Sequence, residues 1–169
     1  MRNLFVLLFF IFAYASLTQA QKSFPDRCLG VWTGTMQIYR AGVVKDTVPV
    51  KFTVAKTAAP DAYTWKTEYL SPKMPLTKDY VLRLKDAAKG VYITDEGGGV
   101  ELLNYQFGDK LYNVFETGGV MLTATYELRG KELIFEVTAG KKPADAKQDV
   151  IDYPVNSLQR VVFRKSKSK

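Results

Sequence analysis

The chain has 169 residues, a formal net charge of +7 and no histidine. Without histidine it lacks the base of Ser-His-Asp and Cys-His nucleophile systems and the usual nitrogen ligand of zinc, copper and haem sites. Its single cysteine, Cys28, excludes an intramolecular disulfide and an iron–sulfur cluster. We therefore expect no metal ion and no cofactor, which leaves carboxylates, Lys, Tyr and Ser for any catalysis.

Residues 1–20 have the pattern of a secretory signal peptide. Arg2 supplies the positive start, residues 4–15 form an uncharged apolar run, and Ala20 is a small residue suited to cleavage. The apolar run is shorter than the roughly 20 residues that span a membrane. We expect residues 1–20 to be removed, residues 21–169 to fold as a single domain, and the protein to be periplasmic or extracellular and not membrane-spanning.

The charge and the cysteine of the remaining chain give two smaller predictions. Arg2 is the one charged residue among residues 1–20, so removing it changes the net charge from +7 to +6. Net charge governs solubility and non-specific association, and for an exported protein it favours contact with anionic surface polymers over nucleic acid, which we do not expect to be a partner. Cys28 follows Pro25-Asp26-Arg27, which is unlike a lipid-attachment site, so we expect a buried thiol.

The rest of the chain alternates apolar and polar residues with a period of two, which is the pattern of half-buried strands. In residues 47–54 the even positions are all apolar, and in residues 120–128 the even positions again form the apolar face. The predicted strands, in chain order, are 29–40, 47–56, 62–70, 78–86, 90–95, 100–107, 110–117, 120–128, 131–138 and 157–165.

The links between these strands predict an all-β fold, an antiparallel up-and-down β-barrel of about ten strands. Most links are short and rich in Gly, Asp and Lys, which forces neighbouring strands to run antiparallel. A Greek-key sandwich would need a long return connection, and successive hairpins favour a closed barrel instead. Residues 139–152 are the main irregular stretch, either a helical turn that begins near Pro143 or a long loop.

The two ends of the barrel sequence carry a recognisable pattern. The first predicted strand contains Gly30-Val31-Trp32, and the last contains Arg160 and Arg164. This pattern resembles the calycin superfamily, which includes lipocalins, fatty-acid-binding proteins and avidins, and most of all uncharacterised secreted lipocalin-like proteins. The resemblance implies that Gly30, Trp32 and Arg160 close one end of the barrel, with an arginine packed on the indole ring. Residues 40–46 leave no room for the helix pair of fatty-acid-binding proteins, and haem binding of the nitrobindin type would need histidine.

Aromatic residues dominate the face that the alternation assigns to the barrel interior. They either fill the interior completely or line a cavity. Their many tyrosines favour a cavity, because a buried hydroxyl needs a hydrogen-bond partner that a ligand or water can supply. The residues predicted to line a pocket are Trp65, Tyr80, Tyr92, Phe115 and Tyr126.

These patterns favour a secreted, non-enzymatic barrel that binds a small, largely apolar molecule in its interior. A first alternative is a filled barrel that acts as an envelope or adhesion module and recognises a partner through its outer surface or basic tail. A second is an enzyme that uses two carboxylates, for which Asp95 and Glu96 are the best pair, although they more simply begin a hairpin turn. A calcium site at that pair, or at Asp145, Asp149 and Asp152, is disfavoured because calcium needs several oxygen ligands at alternating spacing.

Overall fold

Ten antiparallel strands close into a β-barrel, which confirms the predicted fold class. The computed structural model describes residues 22–144 and 151–166. The predicted signal peptide, Asp145 and Asp149 lie outside these residues. The elements are, in chain order, α1 Phe24–Cys28, β1 Gly30–Arg40, β2 Val43–Lys56, β3 Ala62–Tyr69, β4 Leu76–Asp86, β5 Val91–Gly97, β6 Val100–Phe107, β7 Lys110–Thr117, β8 Val120–Arg129, β9 Glu132–Lys141 and β10 Val155–Lys165.

The strand order is the up-and-down order that successive hairpins predict. Each strand pairs with its sequence neighbours, and β1 pairs with β10 to close the barrel. Between β1 and β2 the chain reverses at Ala41 and Gly42, which both have positive φ angles, of 47° and 78°. This tight turn leaves no room for a helix pair between β1 and β2, as the sequence predicts.

The alternation of the sequence becomes an alternation of burial. Along β2, Val48, Val50, Phe52 and Val54 are buried, whereas the residues between them keep part of their surface exposed. Because successive side chains of a strand point to opposite faces, either the odd-numbered or the even-numbered residues of each strand face the interior. This choice, which we call the inward parity of the strand, decides which side chains can line an internal site.

The short helix α1 covers one end of the barrel, which we call the floor. Ser23 caps the helix: its Oγ accepts a bond from the Asp26 backbone N–H at 3.3 Å and donates to the Asp26 carboxylate at 2.7 Å. Phe24 and Cys28 are fully buried against the core, which confirms the predicted buried thiol. This helix was not predicted, although a serine three residues before an acid and a proline in the first turn are helix-start signals.

The charged side chain that packs on Trp32 at the floor is not the predicted one. Lys165, and not Arg160, lies over the Trp32 ring, with Nζ 5.5 Å from the ring centroid. Arg160 points outward and pairs with Glu136 at 3.3 Å. The prediction was wrong because the buried residues of β10 are the odd-numbered Ser157, Val161 and Phe163, so the even-numbered arginines face outward.

Gly30 and Trp32 do belong to the floor. A Cβ on Gly30, whose φ is +122°, would lie 2.6 Å from Lys165 Cε, so glycine leaves the space that the lysine occupies. The Trp32 indole donates to the Cys28 carbonyl at 2.7 Å, which ties β1 to α1. Both ends of the described chain thus meet at the floor, where the Ser166 N–H donates to the Val31 carbonyl at 2.8 Å.

The strands β6 and β7 pair with each other along only part of their length. The two strands pair at three positions next to their connecting turn, from Phe107↔Lys110 to Tyr105↔Tyr112. Beyond that point the bond across the seam is made by a side chain, as Asn113 Nδ2 donates to the Leu103 carbonyl at 2.6 Å. The strands therefore diverge in the half of the barrel that lies away from the floor.

Candidate functional site

A cavity of about 150 Å³ lies inside the barrel, in the half away from α1. We call its outer end the mouth, where Lys78 and Glu96 keep part of their surface exposed. The lining side chains come from eight consecutive strands, β3 to β10, and all have inward parity. They are the aromatic residues Trp65, Tyr69, Tyr80, Phe115, Tyr126 and Phe135, the aliphatic residues Leu102, Leu122, Ala124 and Val137, the neutral polar residues Thr67, Thr94, Asn104, Asn113 and Gln159, and the charged residues Lys78 and Glu96.

Stacked aromatic rings form the base of the cavity. Tyr126 stacks on Phe135 with ring centroids 4.5 Å apart and meets the edge of Trp65 at 5.1 Å. Phe52 lies beneath, 4.9 Å from Trp65 and 5.7 Å from Phe163. Edge-to-face and offset-stacked pairs at these distances are favourable and hold the rings in fixed orientations. The base of the cavity is therefore aromatic and rigid.

Four of the five residues predicted to line a pocket do line this cavity: Trp65, Tyr80, Phe115 and Tyr126. Tyr92 does not. It is buried closer to the floor, where its hydroxyl donates to Gln106 Oε1 at 3.3 Å.

One wall of the cavity is built from carboxamides and a hydroxyl. Asn104 of β6 and Asn113 of β7 are both buried, with 5% and 6% of their surface exposed. Asn104 Nδ2 donates to Thr94 Oγ1 at 2.9 Å and to the Leu102 carbonyl at 3.0 Å. Asn113 uses its Nδ2 at the β6–β7 seam, and its Oδ1 is buried with no protein partner among the described residues. An unpaired buried acceptor costs about 1–3 kcal/mol, so Asn113 Oδ1 is an energetically unfavourable feature of this wall.

Tyrosines near the mouth and the base are held in their neutral form. Burial, and next to it the charge and hydrogen bond of the Glu96 carboxylate, raises the pKa of Tyr80 to about 12. Burial also raises the pKa of Tyr69 and of Tyr126. Near pH 7 these hydroxyls are therefore hydrogen-bond donors and acceptors without charge, and the charged side chains of the lining are Lys78 and Glu96.

Asp95 and Glu96 do not act as a pair. Glu96 lines the cavity, whereas Asp95 Oδ1 accepts a bond from the Gly97 N–H at 2.9 Å and thereby shapes the β5–β6 turn. The Glu96 carboxylate thus belongs to the cavity and the Asp95 carboxylate to the turn, and this arrangement does not place the two on either side of one bond of a substrate. Among residues 22–144 and 151–166, no group of three or more His, Cys, Asp and Glu side chains is placed to hold a metal ion.

The polar half of the lining was not predicted. The sequence analysis selected aromatic residues and passed over Thr67, Thr94, Asn104, Asn113 and Gln159. These residues could have been found from their positions on the inward faces of the strands. Asn113 stands between the inward residues Leu111 and Phe115, so a polar residue on the buried face of a strand could have been recognised. The lining therefore combines aromatic and aliphatic side chains with a smaller set of polar ones.

Comparison with known proteins supports the fold. No protein-family model matches the chain, and no curated protein matches it. Among solved structures, one single-substitution mutant of the fluorescent protein UnaG is 16% identical with a TM-score of 0.50, and the match covers 85% of this chain and 99% of that one. A second single-substitution mutant of UnaG is 14% identical with a TM-score of 0.50 over the same shares of the two chains.

At this level of identity the similarity concerns the fold alone. Within the part of the chain that the structure describes, no helix is both long and apolar enough to cross a membrane. The closed order of ten antiparallel strands, together with this similarity, shows that the chain has an antiparallel β-barrel fold like that of UnaG.

Proposed function

We propose that the protein binds one small molecule in the cavity of its barrel and does not catalyse a reaction on it. The observation that carries this proposal is the cavity of about 150 Å³ above a rigid aromatic base. A barrel that acted only through its outer surface would have no need of this space, and filling it with larger side chains would be favourable. The cavity thus supports the first of the three functional hypotheses over the filled barrel.

The size of the cavity limits the size of the ligand. An engineered protein cavity of about 150 Å³ binds benzene, and most drug-sized ligands occupy about 300–1,000 Å³. We therefore expect a ligand with one or two rings, which would lie against the aromatic base that includes Tyr126 and Trp65.

The proposal that the protein is not an enzyme is supported by the arrangement of its carboxylates. Glu96 lines the cavity alone, because Asp95 belongs to the turn. The pKa of Tyr80 lies far above neutral, at about 12, so its hydroxyl is a poor general base near pH 7.

The proposal is tested by filling the cavity without changing the barrel. Ala124 lines the cavity, so Ala124→Phe places a ring in the ligand's space. Ala55 is exposed on β2, and Ala55→Phe is the matched control on the outer surface. Native mass spectrometry of protein from its source should show a retained molecule of one or two rings in the wild type and in Ala55→Phe, and none in Ala124→Phe.

Two results would overturn the proposal. One is a ligand-free wild type that also fails to bind one- and two-ring aromatic compounds in solution. The other is a ligand that Ala124→Phe retains as well as the wild type does, because the bound molecule would then lie outside the cavity.

We also propose that the protein is exported and works in the periplasm or outside the cell. The signal-peptide pattern of residues 1–20 supports this, and the single cysteine makes folding independent of disulfide formation. N-terminal sequencing of the protein from its source should begin at Gln21. A protein that retained Met1 and stayed with the cytoplasmic fraction would refute export.

A further inference from the structure

We propose that the ligand is zwitterionic, a one-ring compound of the class of the aromatic α-amino acids. Its ring enters the cavity, its carboxylate binds Lys78 and its ammonium group binds Glu96 at the mouth. This ligand class rests on the proposed function, because the ring must occupy the cavity. Lys78 and Glu96 are thereby assigned as the residues that determine specificity.

The Glu96 carboxylate lies beside Tyr80 on the inner face of the mouth. Val81 of β4 pairs with Asp95 of β5, so one step nearer the mouth Tyr80 and Glu96 stand on neighbouring strands, and both line the cavity. Burial and, after it, the charge and hydrogen bond of the Glu96 carboxylate raise the pKa of Tyr80 to about 12. The charged end of Glu96, and not only its aliphatic part, is therefore at the mouth, where the residue keeps part of its surface exposed.

The Lys78 ammonium group lies near the same tyrosine. Its Nζ is 5.7 Å from the centroid of the Tyr80 ring, and Lys78 also keeps part of its surface exposed. Lys78 and Tyr80 are two residues apart on β4, so their side chains share the inner face. Lys78 is then the diagonal neighbour of Glu96, and such neighbours are about 7–8 Å apart in an antiparallel pair.

Neither charge is neutralised by the barrel. Among residues 22–144 and 151–166, no ion pair joins Lys78 or Glu96 to each other or to another charged side chain. The mouth thus presents one positive and one negative group, both of which line the cavity and are separated by a gap that one small group of a ligand can bridge.

Two opposite charges side by side favour a zwitterion over a singly charged ligand. An anion attracted by Lys78 would be repelled by Glu96, and a cation would meet the reverse combination. An α-amino acid carries a carboxylate and an ammonium group on one carbon atom, so each of its charges can face the side chain of opposite sign.

The deeper part of the cavity suits the ring of such a compound. The lining below the mouth is uncharged, and its base contains the paired rings of Trp65 and Tyr126. A volume of about 150 Å³ is comparable to that of an engineered cavity that binds benzene. The two charges of the ligand stay at the partly exposed mouth, which avoids the cost of burying them among uncharged groups.

The test compares three compounds that share a benzene ring on a two-carbon chain. Phenylalanine carries both charges, 3-phenylpropionate only the carboxylate, and phenethylamine only the ammonium group. Isothermal titration calorimetry on the wild-type protein should show that phenylalanine binds about fivefold more tightly than either of the other two, the effect of one partly exposed ion pair.

Two variants should change these preferences in a crossed pattern. In Glu96→Gln the ammonium group loses its partner, so phenylalanine should lose its advantage over 3-phenylpropionate and keep its advantage over phenethylamine. In Lys78→Met the carboxylate loses its partner, so the opposite pattern should appear. A general loosening of the barrel would weaken all three compounds alike and would not produce this crossing.

Matched controls remove the same charges from the outer surface. Lys85 on β4 and Glu101 on β6 are exposed and do not line the cavity. Lys85→Met and Glu101→Gln should therefore keep both preferences of the wild type.

The outcomes separate this inference from the proposed function. Equal affinities of the wild type for the three compounds, or tightest binding of a singly charged one, would refute the zwitterionic ligand and leave interior binding intact, whether or not the variants fold. If none of the three binds while protein from its source retains another ring compound, the zwitterionic ligand alone is refuted. If that protein is also ligand-free and binds no ring compound, the proposed function is refuted as well.

Discussion

Replacing Phe24 with alanine should open the floor of the barrel. Phe24 is fully buried, and its ring lies 6.5 Å from that of Trp65. With Cys28, it is one of the two residues of the short helix α1 that belong to the core cluster. A helix of five residues has almost no stability of its own, so its position depends on such contacts, of which Phe24 makes the largest.

The magnitude follows from the size of the side chain. Truncating a buried Phe to Ala costs about 3–5 kcal/mol, through lost burial and the cavity that remains. If α1 can leave the floor while the strands stay paired, part of this cost will appear as local opening and not as lower global stability. Measuring unfolding and local opening together is therefore necessary.

Cys28 provides the assay for local opening. Its thiol is buried, and burial raises its pKa from 9.0 to about 12, which lowers the thiolate fraction near neutral pH by about a thousandfold. In the wild type the reaction with Ellman's reagent should be slow, because the thiol is both unreactive and inaccessible. In Phe24→Ala the reaction should accelerate by at least an order of magnitude, and urea unfolding should show a loss of up to about 3–5 kcal/mol.

Phe107→Ala is the matched control. It removes the same atoms from a ring that is 66% exposed, so both the thiol reaction and the unfolding midpoint should stay near the wild type. The reasoning would be refuted if Phe24→Ala left both the reactivity of Cys28 and the unfolding free energy unchanged, since the ring would then not hold the floor.

Three further predictions concern the closure and the tyrosines. Gly34→Ala should destabilise the barrel by about 1–3 kcal/mol in urea unfolding, because its Cβ would lie 2.7 Å from a backbone carbonyl of β10; an unchanged midpoint would show that β1 and β10 can separate freely. Lys165→Ala should cost about 0.5–1 kcal/mol through the lost contact with Trp32, and more than Arg160→Ala, whose ion pair lies on the surface; the reverse order would contradict the closure described above. The pKa of Tyr80 is raised from 10.0 to about 12 in the folded barrel, so its contribution to folding stability is fully present below pH 10 and is lost as the pH rises from 10 to about 12. Unfolding free energies measured across this range should therefore fall less steeply in Tyr80→Phe than in the wild type. An identical slope would refute the assignment.

The strands could be predicted because a single physical rule acts along each of them. A period of two assigns one face to the core, and short turns assign the order, so the antiparallel barrel follows from the sequence. The same rule was available for the closure but was not applied at β10, where Val161 and Phe163 define the inward face and Arg160 stands outside it. The family pattern suggested an arginine, whereas parity indicates Lys165.

The cavity could be predicted only in part, because it depends on distances across the barrel. Inward parity identifies Trp65, Tyr80, Phe115 and Tyr126 as interior residues. It also identifies Tyr92, which lies too close to the floor. Whether inward side chains meet or leave space depends on the lengths of residues from strands far apart in the sequence, and a pattern within one strand does not contain that information.

Both ends of the described chain lie at the floor, so a group attached at either end would be on the side of the barrel opposite the mouth. Ser166 bonds to Val31, and α1 covers the same end. A tag or a surface linker joined to either end would leave the molecule on the side opposite the cavity. A sensor made by immobilising the protein through one terminus would then present its mouth to the solution, whichever terminus is chosen.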